Sequence, residues 1–569
     1  MRGAEALIRM LIEYDVNTIF GVPGGQTNPM YEAIHDMKGR ISHILFRDET
    51  NAVFAADAYA KITNKPGVAD ATLGPGALRA IPAIAESYNS SIPLIQLVGN
   101  NPSNWLPLTV YRGNASQAVD QLRVLEPITK WCGQIINVNS IPSIIRFAFR
   151  AATSGRPGPV AIDIPYDILT EEVEFNDRDF YCQKEFSKVP ATRIVPSREK
   201  ILQASKLIQS AERPLIISGG GVFLSNALNE LYKLSTTFGI PVATTINGKG
   251  SFPETHPFSV GVLGSLGGWN TAELVVKKSD LLIFVGSNVD QMTTFDWSIP
   301  SEEQKVIHID IDPIELGRSF VCNVAITGDA QTCLSMLNDV LSDDGYKPKM
   351  LWVEEINKLK NSSADALDYL DDNLEYEKLN PIMVMKIIDK FLEKKGVNII
   401  VSDASSASGW VAGCIRSVLS GRRFLFPRGM AGLGYAIPAS IGSSIAAREI
   451  GLEYSKCIAI AGDGGAAYSI AEIETAKRVG TSLICIILND SSLGWIRKIQ
   501  EKSGKLISSE FTAVNFARVS EGFGGRGYEV KSYGDLEWAL ESCYNDNLPS
   551  IIDVKVFTMV PYKPLFVYF

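Results

Sequence analysis

The chain has 569 residues, 46% apolar and 21% charged, with a formal net charge of −9 and a pI near 5.3. That length exceeds a single hydrophobic core and implies about three or four domains, in a composition ordinary for a globular protein. The acidic balance argues against a nucleic-acid partner, which needs concentrated Lys and Arg, and the longest apolar runs, such as "SLICIIL", are strand-sized, so no membrane span is expected.

The first stretch, "MRGAEALIRMLIEYDV", has apolar residues at helical spacing and reads as an amphipathic helix, not a signal peptide; a cytoplasmic location is expected. Across residues 1–175, β-rich runs ("VNTIFG", "ISHILF", "PLIQLVG", "PVAIDIP") alternate with helical patterns. The polar stretch "EEVEFNDRDFYCQKEFSKVPATR" reads as a linker. Residues 190–345 repeat the alternation with "PLIIS", "LLIFVG" and "VIHIDID". A charged, helical stretch, "LWVEEINKLKNSSADALDYLDDNLEYEKL", leads to residues 380–560, with strands "VNIIVSD", "CIAIAG", "SLICIIL" and "SIIDVKV". The pattern predicts an α/β protein of three domains, each built on a doubly wound parallel sheet. The eight cysteines are scattered without a C-x-x-C spacing, as expected for buried reduced thiols rather than disulfides or zinc ligands.

In open parallel sheets ligands sit beyond the carboxyl ends of the strands. The turns there include "FGVPGGQ", "FRDETN", "TLGPGAL", "SGGGV", "SDASSASGW", "AGDGGAA" and "LNDSSLGW". In "IAIAGDGGAAYSI", Gly462, Gly464 and Ala467 match G-x-G-x-x-G/A, yet Asp463 stands between the first two. Asp490 follows 27 residues later, at the end of the next strand. One helical crossover makes those strands plausible neighbours, so both carboxylates would reach one crevice. Two hard oxygen ligands, a glycine turn and a helix N-terminus suit Mg²⁺ bridging a diphosphate. The same residues also fit a dinucleotide turn with an acidic partner for ribose, hence an NAD-dependent oxidoreductase, or a tight structural turn with an exposed aspartate.

The segment "GDGGAAYSIAEIETAKRVGTSLICIILND" resembles the cofactor motif of the thiamine diphosphate enzymes, and the likeness extends over nearly the whole chain. The order is that of the group containing acetolactate synthase, benzaldehyde lyase and 2-hydroxyacyl-CoA lyase: a pyrimidine-binding, a central and a diphosphate-binding domain. The resemblance implies that Asp463, Asp490 (an Asn in the family) and the main-chain carbonyl of Ser492 ligate Mg²⁺. It places Gly462, Gly464, Gly465, Leu493 and Gly494 around the diphosphate, with Ala404, Ser405 and Ser406 of "DASSAS" as donors to the phosphates. Pro23, Gly24 and Gly76 fall in the matching turns of the first domain. In "RGMAGLGYAIPASIG", Leu433 corresponds to the apolar wedge under a bent cofactor, and the Ala431 carbonyl to the acceptor for its 4′-amino group.

By the same likeness Glu49, in "DETNAVFAADAYAK", is the catalytic acid that hydrogen-bonds pyrimidine N1′ and promotes formation of the cofactor's ylide; taken alone it reads better as a surface glutamate favoured by a helix N-terminus. Gln117, in "NASQAVDQLRVLEPITKW", matches an active-site glutamine able to hydrogen-bond a carbonyl or alkoxide without adding charge. Glu49 and Asp463 lie about 400 residues apart, and the family joins such domains across a subunit boundary, implying a homodimer or homotetramer.

The implied chemistry is carbon–carbon bond formation or cleavage through an enamine. The substrate is a 2-oxo acid, or alternatively a 2-hydroxy ketone or 2-hydroxyacyl-CoA. The chain departs from dedicated acetolactate synthases at Ser116, where a phenylalanine is usual, at Asn288, where an arginine follows the strand, and at Ile499, where a tryptophan is expected. Losing a cation that pairs with a carboxylate weakens selection of an acidic acceptor. In the central segment, "SGGGV" and "VIHIDID" suit FAD, the ADP part of coenzyme A, or a domain that has lost its nucleotide. A nucleotide-binding regulator without catalysis is the remaining alternative. None of His35, His43, His256 and His308 lies in a site turn, and structural roles suit them.

Overall fold

The computed structural model describes residues 1–106, 115–362, 378–396, 398–452 and 456–558. They form three parallel six-stranded sheets flanked by helices. The first has β1 (Thr18–Gly21), β2 (Ser42–Leu45), β3 (Gly67–Ala71), β4 (Leu94–Asn100), β5 (Trp131–Gln134) and β6 (Pro159–Pro165), in the order β2-β1-β3-β4-β6-β5. The second has β7 (Pro214–Ser218), β8 (Val242–Thr244), β9 (Ser259–Val262), β10 (Leu281–Val285), β11 (Lys305–Asp310) and β12 (Val324–Thr327), ordered β12-β11-β10-β7-β8-β9. The third has β13 (Ile399–Ser402), β14 (Phe424–Leu425), β15 (Cys457–Gly462), β16 (Ile484–Asn489), β17 (Arg526–Val530) and β18 (Ser550–Lys555), ordered β14-β13-β15-β16-β18-β17.

Each order reverses direction once, between β1 and β3, β7 and β10, and β13 and β15. Such a reversal sends the following crossovers to opposite faces and leaves a crevice at the strand ends. All three crevices coincide with glycine turns: "FGVPGGQ" and "TLGPGAL", "SGGGV" and "VGSN", "SDASSAS" and "AGDGGAA". The central strands read as continuous apolar runs because helices cover both faces, as for β10 and β16, whose residues are all buried.

The first and third domains share one hydrophobic core. Helix Glu49–Thr63 lies against helix Ala436–Glu449, and both are rich in small residues. A Cβ on Gly442 would stand 2.0 Å from the Ala55 carbonyl oxygen, so the crossing requires glycine there. The N-terminal amphipathic helix is Gly3–Glu13, and it buries its apolar face on the first domain. The expected linker after β6 is not a free tether. It forms short turns at Asp177–Phe180 and Lys184–Ser187, and Phe180 and Phe186 bury against the first domain. The charged stretch after the second sheet starts as helix Met350–Ser362; residues 363–377 lie outside the described residues. All eight cysteines are free thiols, and no described helix is long and apolar enough to cross a membrane.

Candidate active site

Two groups of side chains stand at the crevices of the first and third sheets. In the third, β15 ends at Gly462 and helix Asp463–Ser469 begins at once. The Asp463 carboxylate accepts the Gly464 N–H at 2.9 Å. β16 runs beside β15 with Gly462 paired to Leu488, so Asp490 emerges next to Asp463. Asp490 Oδ1 accepts the Ser492 N–H at 3.0 Å, across the left-handed Ser491 (φ 60°). Burial, and then the charge of Asp490, push the Asp463 carboxyl up from 3.8 to about 7. Two carboxylates thus share one half-dry pocket, and among the described residues no cationic side chain is hydrogen-bonded or ion-paired to either carboxylate.

Glycine keeps this pocket open. A Cβ at Gly494 would lie 2.6 Å from Asp490 Oδ2, and one at Gly464 would lie 3.2 Å from Leu493 Cδ2. A Cβ at Gly465 would lie 2.7 Å from Asp403 Oδ1. Asp403, at the end of β13, is buried and accepts main-chain N–H groups from Ala404 (2.8 Å), Gly434 (3.1 Å) and Ala436 (3.0 Å). One carboxylate therefore joins the "DASSAS" turn to the loop bearing Ala431 and Leu433. Burial lifts its carboxyl to about 6, against those hydrogen bonds. The sequence did not single it out, although an aspartate at the end of an apolar strand is the available signal.

A cavity of about 320 Å³ is lined by Ala404, Ser405, Ser406, Ala431, Leu433, Gly462, Asp463, Gly464, Gly465, Asp490, Ser492, Leu493 and Gly494. The structure therefore gathers every site residue expected from the third domain. Trp410 and Trp495 add apolar walls.

In the first domain, Glu49 opens helix Glu49–Thr63, capped by Asp48, whose side chain accepts the Thr50 N–H at 2.8 Å. The Glu49 side chain is 11% exposed, and Oε2 lies 3.5 Å from Arg79 Nε. Burial, with a smaller contribution from the charge of Asp70, raises its carboxyl above the usual range. Gly76 is packed so that an added Cβ would lie 3.1 Å from Glu49 Oε1. Gly24 packs on Thr72, and Pro23 is exposed in the same turn. Gln117 is exposed at φ 63°, and its carbonyl oxygen presses on Gly74 (2.1 Å from an added Cβ). These residues make a second cluster. Among the described residues, none from the first domain lines the cavity of the third.

At the central crevice, Gly219, Gly221 and Gly286 bring the ends of β7 and β10 into backbone contact. A cavity of about 130 Å³ there receives Arg156 from the first domain and Arg422 from the third. Among the described residues, Arg422 Nη1 has no hydrogen-bond partner. Two of the histidines make interior contacts: His43 contacts Asp70 at 2.8 Å, and buried His308 contacts the Ser287 carbonyl at 2.9 Å.

Three family models match the chain in order. "Thiamine pyrophosphate enzyme, N-terminal TPP binding domain" covers residues 1–124, the "central domain" model 201–337, and the "C-terminal TPP binding domain" model 403–554. A probable acetolactate synthase large subunit of Methanocaldococcus jannaschii is 33% identical over 567 residues, covering 98% of this chain and 92% of the relative. The acetolactate synthase large subunit of Corynebacterium glutamicum is 31% identical, over 98% and 87% of the two chains. The acetolactate synthase isozyme 2 large subunit of Escherichia coli is 29% identical, over 98% and 96%. Full-length similarity at this level, with three successive domain models on three successive sheets, shows that the chain belongs to the thiamine pyrophosphate-dependent enzymes of the acetolactate synthase group.

Proposed function

We propose that this enzyme is a thiamine diphosphate- and Mg²⁺-dependent carboligase and decarboxylase of 2-oxo acids. The observation that carries the reading is the pair Asp463–Asp490 in a cavity also lined by Ser405, Ser406, Ala431 and Leu433. The donor set fits the cation. Burial, and then the charge of Asp490, hold a proton on Asp463 to about pH 7, and a divalent ion with oxygen ligands would offset both costs. Asp463, Asp490 and the Ser492 carbonyl would hold it. The Ala404 N–H is taken by Asp403, so the main-chain N–H groups and hydroxyls of Ser405 and Ser406 would meet the phosphates.

When bound, thiamine diphosphate supplies a carbon nucleophile that adds to the 2-oxo group and accepts the electron pair released with carbon dioxide. The protein's part is orientation and proton transfer. Leu433 lines the cavity and would give the cofactor an apolar surface, and the carbonyl of Ala431, a residue held at φ 56°, would accept from the amino group of the pyrimidine. Glu49, whose carboxyl is raised by burial, would hold a proton for pyrimidine N1′. Gln117 hydrogen-bonds the substrate oxygen. Because Glu49 and Gln117 stand apart from the cavity of their own chain, we place the complete site between two copies, as a homodimer or a homotetramer built from it. The central crevice, with its glycine turns and the unpaired Arg422 Nη1, is the candidate seat for the ADP part of FAD or of coenzyme A.

One observation favours a second reading, a 2-hydroxyacyl-CoA or 2-hydroxyketone lyase on the same cofactor. Asn288 follows β10 where selection of an acidic acceptor calls for an arginine. Carbon dioxide release and acyloin formation from pyruvate, compared with aldehyde release from a 2-hydroxyacyl-CoA, separate the two. In either case Glu49→Gln is expected to lower turnover about 10²- to 10⁴-fold with the cofactor still bound. An unaffected rate removes Glu49 from its role.

A further inference from the structure

Glu472 opens the helix Glu472–Arg478, just after the helix that carries Asp463, and its side chain is fully buried. It reaches across the domain boundary. Its Oε1 accepts the Arg47 main-chain N–H at 3.0 Å and the Asn51 side-chain amide at 3.0 Å. Its Oε2 accepts the Thr475 hydroxyl at 2.5 Å. Arg47 and Asn51 flank Glu49 two residues away on either side. The same helix makes a further contact on this segment, from Arg478 Nη2 to the Leu45 carbonyl at 2.7 Å.

The segment needs such support. β2 is an edge strand whose residues are only partly covered, and it pairs with β1 alone. The turn between β2 and the Glu49 helix therefore has sheet neighbours on one side only. Asp48 caps the helix from within and Arg79 pairs with Asp48 and Glu49, but the acceptor that takes a hydrogen bond on each side of Glu49 comes from the third domain.

We propose that Glu472 is a positioning residue: it clamps the 47–51 turn and so fixes the Glu49 carboxyl at the angle that proton transfer requires. The inference rests on the assignment of Glu49 as the acid. An ordinary interdomain hydrogen bond would affect stability alone; a clamp affects the geometry of the acid at constant cofactor affinity. Misplacement of a reacting group by about 1 Å is enough to cost on the order of a hundredfold in rate.

The test uses the full-length enzyme loaded with thiamine diphosphate and Mg²⁺. Deuterium exchange at the cofactor's C2, read by acid quench and NMR, is measured with cofactor affinity, melting temperature and amide exchange of residues 45–51 in the cofactor-free protein. Glu472→Ala is expected to slow C2 exchange about 10- to 100-fold, to speed amide exchange in that segment, and to leave cofactor affinity within about threefold. Glu472→Gln keeps an Oε1 for both donors and is expected to restore exchange to near the parent rate. Should Glu472→Ala fail to fold, Asn51→Ala removes one donor of the clamp, and it is expected to show the same split more weakly. C2 exchange unchanged in Glu472→Ala, or in Asn51→Ala where that variant stands in, or slowed only in step with lost affinity, overturns the clamp. If Glu49→Gln also leaves exchange unchanged, the assignment of Glu49 falls and the clamp with it. A slowed Glu49→Gln beside an unaffected Glu472→Ala, or beside an unaffected Asn51→Ala, overturns the clamp alone.

Discussion

Replacing Asp463 with asparagine should stabilise the cofactor-free enzyme while abolishing its cofactor binding. The folded-state carboxyl sits at about 7 against 3.8 for a free aspartate. The folded chain therefore retains a proton that the unfolded chain has already lost. That contribution to stability is fully present below about pH 4 and is lost as pH rises through about 7. At about 1.4 kcal/mol per pKa unit the ceiling is about 4 kcal/mol. Because the pocket is only partly dry and solvent screens the shift, about half of this is a fair expectation, or a rise in melting temperature of about 2–4 °C for Asp463→Asn above pH 7, the first and third domains melting as one large unit. Melts in chelator at about pH 5 and about pH 8 test the sign: the advantage of the variant should be small at the lower pH and full at the higher. Adding thiamine diphosphate with Mg²⁺ should reverse the order, raising the parent's melting temperature and leaving the variant where it was. A variant that melts no higher than the parent at the upper pH, or whose advantage ignores pH, would refute the account of a buried carboxyl raised by burial and by the charge of Asp490.

Glu49→Gln, as described above, should lose turnover and keep the cofactor, read by steady-state rates beside a binding titration. Gly434→Ala should destabilise by about 1–3 kcal/mol in urea melts, because φ is +88° and the new Cβ would stand 2.7 Å from the Tyr468 Cβ. It should also weaken cofactor binding, since Asp403 holds the Gly434 N–H. Lys249→Met should cost about 3–5 kcal/mol, read as a lower urea midpoint, because it leaves Glu254 as an uncompensated buried charge. Both side chains of that 2.7 Å pair are fully buried.

The sheet centres were legible because their chemistry is local. Runs such as "PLIIS", "LLIFVG" and "SLICIIL" are apolar, β-branched and strand-length, and each became a strand. Several of the strands not singled out lack that signature. β3 is "GVADA", small and interrupted by Asp70; β14 is two residues long; β17, "RGYEV", is an edge strand with polar residues. Their identity comes from pairing with neighbours, which tertiary structure supplies and propensity does not. The third-domain site was legible for a related reason. Its residues fall in turns at strand ends, and turns at the point of strand reversal converge whatever else the fold does. Asp403 and Glu472 were not, because their work is to accept hydrogen bonds from segments distant in sequence, and nothing near them announces those partners.

Backbone conformation at the site was hidden from the sequence altogether. Four residues in the candidate site turns are left-handed without being glycine: Gln117 (φ 63°), Ser405 (φ 62°), Ala431 (φ 56°) and Ser491 (φ 60°). Each conformation costs on the order of 1 kcal/mol or more for an L-residue, so the surroundings must impose it. Those surroundings are visible. The Gln117 carbonyl is wedged on Gly74, Ser491 is spanned by the Asp490–Ser492 hydrogen bond, and Ser405 and Ala431 flank segments held by the Asp403 carboxylate. Glycine would remove the strain at all four positions, but it would also let the turns wander when empty. A side chain forced into this region has few alternatives, so the turn keeps its shape before any ligand arrives. In the sequence "DASSAS" is a run of small polar residues; in the fold it is a sprung turn leading into helix Ser406–Cys414, and Asp403 is what holds the spring.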